Sequence, residues 1–151
     1  IIRVNSYMDT IDISFDLTST DYDCTLGFEV NYKDKLILDI DHVTNKTPVS
    51  FTLDAEEGEQ VLTFIMKNKL LNDTVLDENN NIIQDACLNI SNFNIEYVEL
   101  GHTFYEHTIY QHDFNGSQSL VEEKFYGDMG CNGSVLFKFS TPIYHWLITN
   151  M

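Results

Sequence analysis

The stretch IDISFDL (11–17) places Ile11, Ile13, Phe15 and Leu17 in strict alternation with Asp12, Ser14 and Asp16. A period of two puts the apolar set on one face of an extended chain and the acids on the other, so the stretch reads as a strand covered on one side. Working outward, TLGFEVNY (25–32) repeats the device with Leu26, Phe28, Val30 and Tyr32, and KLILDID (35–41) sets Leu36, Leu38 and Ile40 on one face. Lys33-Asp34 between them predicts a tight hairpin turn. VSFTL (49–53) gives Val49, Phe51 and Leu53 one side, with Pro48 confined to a strand start or a sheet edge. In QVLTFIMK (60–67) both alternating sets are apolar, which predicts a central strand covered on both faces.

The second half continues in the same manner. DENNN (77–81) is a polar tip between TVL and II, read as a hairpin loop. In ACLNISNFNIEYVEL (86–100) the inward phase switches from Leu88 and Ile90 to Phe93, Ile95 and Tyr97. One extra residue near Ser91-Asn92 accomplishes this, as a β-bulge or a corner between sheets. HTIYQHDF (107–114) and SVLFKF (134–139) supply further strands, and STPIYHWLITNM (140–151) reads as a short terminal helix with Thr141 as its cap and Pro142 in its first turn. No repeat or linker interrupts the pattern. The expectation is a single all-β domain over residues 1–151, an antiparallel, jelly-roll-like β-sandwich closed by a short C-terminal helix.

Composition agrees with a folded domain that has an acidic surface. The chain has 151 residues, 24 acids against 8 bases and a formal charge of −16, yet 43% of it is hydrophobic and 13% aromatic. That is too apolar for a disordered chain, and it leaves a surface that repels nucleic-acid phosphates and anionic membranes. No apolar run is long enough to span a bilayer. The expectation is therefore no nucleic-acid partner and no membrane insertion.

Residue type and spacing separate the groups that could carry chemistry from those that could not. Phosphate-binding, nucleophile-elbow and HExxH motifs are absent. His102, His107 and His112 are spaced by five, which within a strand turns neighbours to opposite faces and argues against convergence on a metal. The oxygen-rich groups Asp21 with Asp23, Asp39 with Asp41, Asp77 to Asn81, and Asp113 with Asn115 would suit calcium if any ion is bound, although none matches an EF-hand loop. Cys24, Cys87 and Cys131 form no paired motif. Cys131, in GDMGCNG (127–133), sits in what reads as a tight turn rather than beside a catalytic base. Tyr110, Tyr126, Tyr144 and Trp146 are the aromatic candidates for a protein interface or a sugar-binding platform. No catalytic residue, metal ligand or obligatory cofactor is expected.

Two resemblances add to this. GEQVLTFIMKNK (58–69) with DENNNIIQDACLNISNFNIEYVEL (77–100) resembles the central strand and following hairpin of sandwich carbohydrate-binding modules. HDFNGSQ (112–118), KFYGDMGCNGSVLFKFSTPIY (124–144) and WLITNM resemble small virion-associated or host-recognition domains of marine tailed phages. What the second implies is a non-enzymatic virion protein, a capsid decoration or a tail or fibre component, assembled in the host cytoplasm and in contact with other virion proteins or further copies of itself. What the first implies is a module that recognises host surface glycan, with calcium if the site needs it.

Overall fold

The computed structural model describes residues 7–21 and 23–151. Two antiparallel sheets face each other across one core, as the alternating strands predict. The first sheet is built on β1 (Met8–Ser19). It is flanked by β4 (Thr47–Glu56) at one edge and by β8 (Leu88–Ile95) on the other side, and the short β9 (Val98–Glu99) and β12 (Asp128–Met129) both pair with β8. The second sheet runs β11 (Val121–Lys124), β10 (Thr108–His112), β13 (Gly133–Thr141), β5 (Gly58–Lys67), β2 (Gly27–Tyr32) and β3 (Lys35–Ile40). Pro48 lies on the edge strand β4, where a missing N–H costs no ladder bond.

The core is aromatic. Phe93 stacks on Phe104 at 4.0 Å between centroids, and Phe15, Phe64 and Phe137 meet Phe93 at 5.7, 6.0 and 5.2 Å. Phe104 comes from a one-turn helix, α1 (His102–Glu106), that no pattern in the sequence announced. It follows Gly101, whose φ of 54° turns the chain back over the core. The terminal helix α2 (Ile143–Asn150) buries Ile143, Trp146 and Leu147, with Trp146 edge-on to Phe137 and 5.0 Å from His107.

The phase switch in β8 is present. The register to β1 slips between Ser14–Asn94 and Asp16–Ser91, with Asn92 at φ 53°, so Leu88, Ile90, Phe93 and Ile95 all reach the core. Four local expectations fail for identifiable reasons. Tyr97 is exposed because Glu96 and Tyr97, both at positive φ, form the tight turn into β9. Leu36 is exposed because β3 bulges against β2, so that Val30 faces Leu38 while the outward Asn31 faces Leu36. β5 is central in its sheet but covered on one face only: Leu62, Phe64 and Met66 are buried, Thr63 and Ile65 half-buried and Val61 exposed. Thr141 does not cap α2. Its buried hydroxyl donates to the carbonyl of Glu56, and the first-turn N–H of Ile143 donates instead to the Asp9 carboxylate of β1 at 2.6 Å.

Candidate functional site

Two features of the surface depart from a plain acidic sandwich, and both are organised by the glycine-rich segment 127–133. The first is an arm. The chain leaves β5 at Lys67, makes a 3-10 turn over Leu71–Asp73 and forms a separate two-stranded sheet of β6 (Thr74–Leu76) and β7 (Ile82–Asp85). The DENNN tip folds as expected, with the Asp77 carboxylate accepting from the N–H groups of Asn79 and Asn81, each at 2.9 Å. What the pattern did not disclose is the arm's surface. Leu70, Leu71, Val75, Leu76, Ile82 and Ile83 are between 38% and 85% exposed, although a Leu or Ile side chain gains roughly 1.5–3 kcal/mol on full burial.

The root of the arm is locked. The Lys69 side chain is 1% exposed, and its ammonium donates to the Asp85 carboxylate at 2.5 Å and to the Gly130 carbonyl at 2.6 Å. Thr74 donates to the same Asp85 oxygen at 2.6 Å, and the Asn132 side chain clamps the Lys69 backbone from both sides, at 2.9 and 3.0 Å. Burial alone would raise the Asp85 carboxyl, but the hydrogen bonds from Lys69 and Thr74 outweigh it and hold it below its ordinary value. One end of the arm is thus tied to the other and both to the sandwich. The segment that reads as a simple turn is the arm's anchor.

The second feature is a cleft of about 620 Å3 at the β11 edge of the six-stranded sheet. Tyr110, His112, Phe114, Glu123, Tyr126 and Cys131 are among its lining residues. Rings pave it in succession, Phe125 to Tyr110 at 6.2 Å, Tyr110 to His112 at 4.6 Å and His112 to Phe114 at 4.7 Å. Glu123 pairs in register with Tyr110, so it points to the same sheet face, and its carboxylate meets Nε2 of the buried His112. The N–H of Phe114 donates to His112 Nδ1 at 3.3 Å, which places the ring proton on Nε2, directed at Glu123. The Tyr110 hydroxyl donates to the Cys131 carbonyl and accepts from the Cys131 N–H at 2.8 Å, and burial pushes its pKa well above the ordinary tyrosine range. Gly133 closes the segment where a Cβ would lie 2.3 Å from the Gln111 carbonyl, so no other residue fits there.

The four aromatic candidates do not form one platform. Tyr110 and Trp146 are buried, Trp146 under α2, whereas Tyr126 is exposed at the cleft and Tyr144 is exposed on α2, donating to Glu96 at 3.2 Å. The three histidines are likewise separated, on α1, at its end and at the end of β10. Asp21 accepts from the Asp23 N–H and Asp113 from the Gly116 N–H within their own turns, and Asp39 is ion-paired with Lys67 of β5. Among the described residues no group of three or more His, Cys, Asp or Glu is placed to hold a metal ion. All three cysteines are free, and burial pushes the Cys131 thiol up, away from the thiolate a nucleophile needs. Glu123, Lys69 and the bare arm escaped the reading of the sequence. The alternation of VEEK (121–124) against HTIYQH was the only signal for Glu123, and it required the register to be known.

No known protein family, curated protein or solved structure matches the chain.

Proposed function

We propose that the chain is a non-enzymatic structural protein of a phage particle, a capsid decoration or a tail or fibre component, that works through protein–protein contacts made by its arm. The carrying observation is the arm's six bare apolar side chains, held in one orientation by the Lys69–Asp85 root. Apolar side chains bared in such number on so acidic a chain are costly to leave in water and mark a contact surface. Because the root fixes the arm beforehand, little ordering entropy remains to be lost on docking. Asp73, Asp77 and Glu78 lie on the same arm, which suits a partner with an apolar groove and a basic rim. The protonated, half-buried thiols and the turn-bound carboxylates support a role without chemistry. The resemblance of the C-terminal segments supplies the phage setting.

Mass spectrometry of purified particles tests the assignment, with the protein expected in stoichiometric amounts. The double substitution Leu71→Asp with Ile83→Asp should leave the fold intact, since both side chains are exposed, and abolish incorporation. Particles lacking the native protein, or particles incorporating the variant normally, would overturn the proposal.

A further inference from the structure

Several of the polar groups that line the cleft at the β11 edge are already engaged. Both nitrogens of His112 are engaged, by the Phe114 N–H and by Glu123. The Tyr110 hydroxyl is engaged twice by Cys131, the Gly130 carbonyl is taken by Lys69 and the Phe114 carbonyl accepts from Ser117 at 2.7 Å. What is left facing the cleft is the remaining lone-pair capacity of the Glu123 carboxylate, half exposed at 53%, the face of Phe114, and the exposed ring of Tyr126 with its hydroxyl. Two other charged residues border the cleft, and neither cancels that carboxylate. Lys124 pairs with Ile109 and alternates with Glu123, so it stands on the opposite face of the sheet. Asp128 pairs with Asn89 and accepts from its side chain at 2.8 Å.

A half-exposed carboxylate beside ring faces, on so acidic a chain, favours a planar cation. A sugar hydroxyl can bond to Glu123 but leaves its charge uncompensated. An anion meets Glu123 and the field of a chain carrying −16. A guanidinium has five donors and no acceptor, is planar enough to stack on Tyr126 or Phe114, and pairs with a carboxylate through two parallel bonds. We propose that the cleft binds a guanidinium group, the arginine side chain of a partner protein, with Glu123 as its counter-ion and Tyr126 and Phe114 as its stacking faces. The cleft lies apart from the arm's apolar surface, and it would hold this group whatever assembly the chain belongs to.

The test is a two-dimensional NMR titration of the whole chain with N-acetyl-arginine amide, its citrulline counterpart and a methyl hexoside. Saturable shifts centred on residues 110–114 and 123–131 are expected with the arginine probe alone, weakening as salt is raised. Glu123→Gln keeps an acceptor for His112 and removes the charge, and it should weaken the arginine probe about tenfold. Tyr126→Ala, at an exposed position, should weaken it several-fold. Equal shifts from citrulline, binding of the hexoside instead, or no saturable shift with arginine would each overturn the assignment.

Discussion

Replacing Lys69 by Met keeps the length of the side chain and removes only the ammonium, which isolates what the arm's root contributes. Two bonds are lost, to the Asp85 carboxylate and to the Gly130 carbonyl. Removing one partner of a fully buried pair costs about 3–5 kcal/mol, because the other charge is left without compensation. Asp85 is 28% exposed and keeps its bond from Thr74, so water and that hydroxyl recover part of the loss, and the expectation falls to about 2–3 kcal/mol. For a chain of this size that is a drop in Tm of roughly 5–10 °C. Urea unfolding followed by fluorescence of Trp146, the single tryptophan, measures it, and native-state hydrogen exchange should show the amides of 70–86 opening well below the global transition.

The pH dependence follows with a definite sign. The folded Asp85 carboxyl lies below its unfolded value, so its contribution is complete above about pH 4 and disappears as pH falls through the folded value. The gap between wild type and Lys69→Met should therefore narrow below about pH 4, where a protonated Asp85 no longer needs the ammonium. In Lys69→Met combined with Asp85→Asn, the second substitution should cost far less than Asp85→Asn alone. A loss under about 0.5 kcal/mol for Lys69→Met, or strict additivity of the pair, would refute the locked root.

Asp9→Ala leaves the Ile143 N–H without its acceptor and should cost about 0.5–2 kcal/mol. Faster exchange confined to the first turn of α2 is the signature, and unchanged protection there would show that the carboxylate caps nothing. Burial, with the hydrogen bond and charge of Asp73, pushes the Cys24 thiol up to about 12, and burial with the charge of Asp85 pushes Cys87 to about 11. Both are therefore protonated at neutral pH, and iodoacetamide should label the native chain at least about tenfold more slowly than the urea-unfolded one. Equal rates would contradict this.

The strand content, the β2–β3 hairpin, the extra residue near Asn92 and the terminal helix were all readable in the residues themselves. Each depends on local alternation or turn chemistry, and the inward side chains of IDISFDL reach the core as their period requires. Whether an apolar face is covered depends instead on which sheet lies opposite. That is why β5 reads as doubly buried but is open on one side, and why Leu71 and Ile83 stand bare. The aromatic candidates divide for the same reason, Tyr110 and Trp146 going to the core while Tyr126 and Tyr144 stay outside. The root and the cleft join residues 16 and 61 positions apart at Lys69 and 11 apart at Glu123, through registers that no single stretch encodes. Sequence alone determined an acidic, one-sided strand pattern, because period and charge are local properties. Only the packed sheets decided which apolar side chains stay bare and which carboxylate stays half exposed beside aromatic rings, because both depend on what packs opposite.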